Sequence, residues 1–235
     1  MPFVPLLLAA TVARCPAAID DAPHAAVMAP IVAIADTTGA PRTALDSLYA
    51  AGRAFRPFLG DVRARRDEWR RSTDSARIDT ALVARGRRVP GRWRLLVVAV
   101  DACGDSMRAI PVLAALDDSL PNLELRIVAP SAARAAQDAN RTWDGRIATP
   151  TILLLDAQGR QAGCIVERPR PLRHAQRAAR GDLTTGRVTT DSLGKAMLAW
   201  WRADRGTSIA AEAVELLESA GEGIPLCERG QTPPT

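Results

Sequence analysis

Leu95-Leu96-Val97-Val98-Ala99-Val100-Asp101-Ala102-Cys103-Gly104-Asp105-Ser106 is an unbroken apolar run that ends at an aspartate and delivers one cysteine to the start of a helical pattern. The run is rich in β-branched residues, as expected of a strand buried on both faces. After it, Met107, Ile110, Leu113, Ala114 and Leu116 recur at helical spacing. Cys103 therefore sits at a helix N-terminus. Unsatisfied backbone N–H groups and the positive end of the helix dipole there favour a thiolate over a thiol. A second cysteine three residues on would complete a dithiol redox motif, but that position holds Ser106.

Downstream of this stretch, Leu123 to Val128 reads as a second strand and Ser131 caps a helix running to about Asn140. Thr151 to Leu155 and Gln161 to Val166 flank Asp156-Ala157-Gln158-Gly159, which is hairpin chemistry. A two-residue turn at Ala157 and Gln158 would set Cys164 opposite Thr151, next to Pro150. The order strand, helix, strand, helix, hairpin is an α/β arrangement whose first two strands should be parallel.

Upstream, three helices form a preface. Thr43 caps the first, which stops at Gly52. The second runs from Pro57 to about Arg71, with the arginines of the Arg63–Arg71 cluster on a solvated face, and the third from Asp79 to Arg85. At the other end, helices follow from Asp191 to Trp201 and from Ser208 to Glu218. The expected divisions are 1–40 a signal-like or disordered tail, 41–90 a helical extension, 91–170 the core, 171–222 helices packing on it, and 223–235 a tail, including Cys227, that carries nothing.

Composition narrows the function. Hydrophobic residues make up 47% of the 235-residue chain but aromatic ones only 4%, so the core is aliphatic with tryptophans as single anchors. Net charge is +5 and Lys195 is the only lysine, yet no nucleic-acid motif accompanies the arginines, so no nucleic-acid partner is expected. No run is long enough to span a bilayer. Cys15, Cys103, Cys164 and Cys227 are too few and too scattered for a disulfide scaffold, and with His24 and His174 isolated no metal site is expected. That cysteine pattern suits a reducing compartment, in which any disulfide would be transient. Residues 5–13 resemble the apolar part of an export signal but lack a preceding positive charge. A cytoplasmic location is thus expected, with export to the periplasm as the alternative. Arg14 argues against lipidation of Cys15, and Met28 is an alternative start.

Cys103-Gly104-Asp105-Ser106 after a buried strand, Pro111 eight residues past the cysteine, and Ala148-Thr149-Pro150 opening a strand together resemble the thioredoxin superfamily. The resemblance is to bacterial members whose site reads Trp-Cys-Gly-Asp followed by Cys or Ser. It covers residues 91–168 and extends to Met197-Leu198-Ala199-Trp200-Trp201 before Asp204-Arg205-Gly206. It implies a thioredoxin-like three-layer α/β/α sandwich with a mixed sheet and helical extensions at both ends.

It also implies roles. Cys103 matches the nucleophile, Pro150 the cis-proline, and Ala102, Gly104, Asp105, Thr149 and Pro150 the substrate-docking positions. Three departures bear on the chemistry: Ala102 replaces a tryptophan, Val97 replaces a buried acid, and Ser106 cannot resolve a mixed disulfide. Asp105 and Asp101 place negative charge beside the sulfur and should raise its pKa. The expected activity is monothiol exchange: disulfide reduction, isomerisation or deglutathionylation. It would act on protein or low-molecular-weight thiols and disulfides without a cofactor, using glutathione or a thioredoxin-type reductant as co-substrate. Cys164 is a candidate resolving thiol, set against the reading of a small buried hydrophobe. The alternative function is a redox-silent peptide- or protein-binding module on the same fold.

Overall fold

The computed structural model describes residues 43–227. The readings placed on the signal-like segment, on Cys15 and Met28, and on the last eight residues lie outside these. In chain order the helical preface comprises α1 (Ala44–Ala50), α2 (Phe55–Asp61), α3 (Arg66–Ser75) and α4 (Thr80–Arg88). Next come β1 (Trp93–Val98), α5 (Gly104–Ser119), β2 (Leu123–Val128), α6 (Arg134–Asp138), β3 (Thr151–Leu155) and β4 (Gln161–Val166). The chain closes with α7 (Arg170–Ala178), α8 (Arg180–Thr184), α9 (Thr190–Asp204), α10 (Thr207–Gly221) and β5 (Leu226–Cys227).

The sheet order is β2-β1-β3-β4-β5, with β1 parallel to β2, β3 antiparallel to both β1 and β4, and β5 parallel to β4. Strand alternation divides the core into two layers. Leu95, Val97, Ile152, Leu154 and Ile165 face one way, onto Ile110 and Leu113 of α5 and Ile209, Val214 and Leu217 of α10. Leu96, Val98, Leu153, Leu155 and Val166 face the other, onto Tyr49 of α1 and Ala133 and Ala136 beside and within α6. This is the three-layer α/β/α sandwich, and the period-two split of β1 explains why its run is apolar throughout. The outer edge of β2 is bridged by Arg53, whose N–H and C=O pair with Ile127, so that edge is partly covered.

Three expectations are corrected. The single helix from Pro57 to Arg71 is two helices, because Arg63 and Ala64 N–H groups both donate to the Asp101 carboxylate, at 2.8 and 2.9 Å, and Arg65 takes a left-handed φ of 55°. The β3–β4 connection is longer than a two-residue turn. The Asp156 side chain accepts from the N–H groups of Gln158 and Arg160, and a bulge follows, so Cys164 pairs with Leu153 and Thr151 pairs with Val166. Finally, Cys227 does not lie in an idle tail: it forms β5 and is disulfide-bonded to Cys164. Closing a separation of 63 residues stabilises by about 2–4 kcal/mol.

One carboxylate makes the fold pH-sensitive. Burial pushes Asp117, near the end of α5, up to about 6. The folded value lies above the unfolded one of ~3.9, so the native state binds the extra proton. Stability contributed at this site is full below about pH 4 and lost as pH rises through about 6. Asp117→Asn is expected to be more stable than the parent by about 1–2 kcal/mol at pH 8, a figure discounted for partial exposure. The gain should vanish at pH 4, as read by urea unfolding at both values.

Candidate active site

Cys103 is the N-cap residue of α5 and is fully buried. The Ser106 N–H donates to its sulfur at 3.4 Å, the arrangement in which an N-cap side chain satisfies a first-turn donor. From the other side, the carbonyl oxygen of Thr149 lies 3.1 Å from the sulfur. Thr149 and Pro150 are joined by a cis peptide bond, and Pro150 precedes β3 directly. The structure thus brings Cys103, Ser106, Thr149 and Pro150 together. Cys103 is itself disulfide-bonded, so the site is seen in its oxidised form.

Ser106 is fully buried and its Oγ has no hydrogen-bond partner among the described residues. A buried hydroxyl without a partner costs on the order of 1–3 kcal/mol, which makes it a donor waiting for an acceptor. The acceptor nearest in chemistry is a reduced, negatively charged Cys103 sulfur.

The two aspartates differ from expectation. Asp101 does not present its charge to the sulfur: its carboxylate caps the break between α2 and α3, and its carbonyl accepts from Trp69 Nε1 at 2.8 Å. Trp69 is fully buried, so the helical preface is anchored directly to the active-site loop. Asp105 is turned inward, where it accepts from Trp201 Nε1 at 3.2 Å and pairs with Arg168 at 2.8 Å. Its charge is therefore balanced by Arg168 and not left open beside the sulfur. Ala102 is half-buried, and Gly104 is buried beneath the Arg108 side chain.

Arg168 joins the two halves of the site. Beyond Asp105 it pairs with Glu167 at 2.9 Å and donates to Gln176 at 2.8 Å. Glu167 in turn donates its backbone N–H to the Pro150 carbonyl at 2.8 Å, and its carboxylate pairs with Arg146. Sequence reasoning missed Arg168 and Glu167, because only their position immediately after β4, level with Pro150, brings them here. Trp201 carried a signal, since its segment belongs to the resemblance, but its partner Asp105 is 96 residues away.

Cys164 is removed from the candidate list of resolving thiols by its bond to Cys227. Among the described residues no cysteine is free, and no group of three or more His, Cys, Asp or Glu side chains could hold a metal ion.

A thioredoxin family, Thioredoxin_9, matches residues 52–180, more than half the chain and inclusive of Cys103 and Pro150. The chain belongs to this thioredoxin family. A search of curated proteins finds no match. Among solved structures, a protein of unknown function from Pseudomonas aeruginosa is 24% identical, with a TM-score of 0.55 over 80% of this chain and 99% of that one. An HIV epitope-scaffold is 23% identical, with a TM-score of 0.57 over 74% of this chain and 96% of that one. At such identities the two structures carry the fold and nothing finer.

Proposed function

We propose that this protein exchanges thiols and disulfides through Cys103 as a single nucleophile. The observation that carries the reading is the N-cap geometry: a sulfur that accepts the Ser106 N–H, beside a buried Ser106 hydroxyl with no partner and facing the Thr149–Pro150 turn. In the reduced protein the Cys103 thiolate attacks one sulfur of a substrate disulfide. A Cys103–substrate S–S bond forms, the substrate S–S bond breaks, and the departing sulfur leaves as a thiolate that takes a proton from water. The Ser106 N–H and hydroxyl and the dipole of α5 stabilise the attacking charge. An extended substrate segment pairs along Thr149–Pro150 as an added strand.

Neither Ser106, which cannot attack, nor Cys164, which is bonded to Cys227, resolves the mixed disulfide, so resolution falls to another thiol. Glutathione or a thioredoxin-type reductant would attack the mixed disulfide and return Cys103 as thiolate. The Cys164–Cys227 bond also supports an oxidising compartment, which favours the exported alternative over the cytoplasmic one.

The test is to reduce the folded protein, remove the reductant, add glutathione disulfide and map adducts by peptide mass spectrometry, with thiolate absorbance followed against pH. The expected result is an adduct on Cys103 and a thiol titrating below the ~8.5 of an ordinary cysteine. A folded protein whose other cysteines react while Cys103 does not would overturn the proposal in favour of a redox-silent binding module.

A further inference from the structure

Arginines crowd the first turn of α5 at Gly104. The place a Cβ would occupy on Gly104, the residue after Cys103, is 2.7 Å from Arg108 Nη1 and 3.6 Å from Arg65 Nη1. Arg108 donates to the Gly104 carbonyl, one helical turn back. Arg65 reaches the same spot from the α2–α3 break, where its left-handed backbone turns the chain. Burial holds the Arg108 guanidinium below the usual arginine range, Asp105 and Glu68 oppose that shift, and Arg65 and Arg202 of α9 add to it. Asp105 is already paired with Arg168. Among the described residues, Arg65, Arg108 and Arg202 take part in no ion pair. Arg65 and Arg108 therefore stand over the residue next to the reactive sulfur, with Arg202 and Glu68 close enough to act on the Arg108 charge.

Like charges held together at a partly desolvated site raise the free energy of the empty state, and an anion bound among them lowers it. From this we infer that Arg65, Arg108 and Arg202 select disulfides that carry carboxylates close to the sulfur atoms. The inference rests on the exchange chemistry proposed for Cys103. Two sources share this ligand chemistry: the glutathione tripeptide, and a peptide cysteine flanked by acidic residues.

The experiment measures rate constants of the reduced protein with three aliphatic disulfides of similar size: dithiodipropionate (dianion), hydroxyethyl disulfide (neutral) and cystamine (dication). Each rate is divided by that of a small uncharged thiol, so that the disulfide's own reactivity cancels, and Cys103→Ser supplies the background. The expected result at low salt is a preference of roughly tenfold or more for the dianion over the dication. That preference should fall toward unity as salt shortens the screening length to ~3 Å. Arg65→Asn keeps a residue that tolerates the left-handed backbone, Arg202→Gln alters an exposed position, and each should reduce the preference. Glutathione disulfide and a disulfide of an acidic-flanked peptide are then compared, and the source with the larger arginine-dependent preference is the physiological class.

A Cys103-dependent reaction with equal rates for the three probes, or a preference unmoved by salt and by the substitutions, overturns this inference alone. Reaction that persists unchanged in Cys103→Ser removes the exchange reading and this inference with it.

Discussion

Cys103→Ser is expected to lose exchange entirely, by at least roughly a thousandfold relative to the reduced parent, the scale on which loss of a nucleophile acts. Serine cannot form the mixed disulfide, and its hydroxyl is not appreciably ionised near neutral pH, so neither half of the reaction has a substitute. The fold should survive. Serine is a favoured N-cap residue and keeps an acceptor for the Ser106 N–H, now at 3.4 Å from the sulfur. The comparison belongs with both proteins reduced beforehand and the reductant removed, because the substitution also removes the disulfide that Cys103 carries. Glutathione disulfide consumption, read beside circular dichroism of both proteins, separates lost chemistry from lost structure. Exchange that persists at the parental rate in a folded Cys103→Ser protein would falsify the nucleophile assignment.

Arg168→Met is expected to cost about 3–5 kcal/mol and to raise the Cys103 thiol pKa. The Arg168 and Asp105 side chains are 12% and 11% exposed, so removing the cation leaves a buried carboxylate held by the Trp201 N–H alone, the case in which breaking an ion pair is most destabilising. Glu167 keeps Arg146 at 3.1 Å and is less affected. Because Asp105 is two residues from Cys103, its uncompensated charge then opposes the thiolate. A packing defect would lower stability but would not move the thiol titration, so the two readouts distinguish a positioning role from a structural one. The double variant Arg168→Met/Asp105→Asn removes the orphaned charge. It should recover much of the stability and return the thiol pKa toward the parental value, giving the coupling as a double-mutant cycle.

Much of the fold was legible because its signals are local. Thr43 caps α1 by accepting the Asp46 N–H, as its position before an apolar pattern predicts. The unbroken apolar run of Leu95 to Val98 reports a strand buried on both sides, and Gly159, with φ of +71°, marks the hairpin. Within the site, Cys103 and Ser106 were legible from a strand and a helix start, whereas Thr149 and Pro150 were singled out by the resemblance to thioredoxins. What was misjudged depends on contacts between distant segments. Arg65 read as part of a solvated helix face, since nothing in the stretch from Arg63 to Arg71 announces that Asp101 breaks the helix there. Asp105 read as uncompensated charge beside the sulfur, since its partners lie 63 and 96 residues further on.

By itself, then, the sequence determined the alternation of elements, the two-sided burial of the central strand and the delivery of one cysteine to a helix N-terminus, because periodicity, capping and turn chemistry act over a few residues. Only the tertiary structure decided which charges stand beside that cysteine and which are neutralised. It turned Asp105 inward to Arg168, drew Arg65 over Gly104 and bonded Cys164 to Cys227. The physical reason is that an ion pair, a buried hydrogen bond or a disulfide is specified by where two distant segments meet. A two-residue shift in the β3–β4 register, or one break in a helix, changes that meeting without leaving a mark on either segment's own pattern.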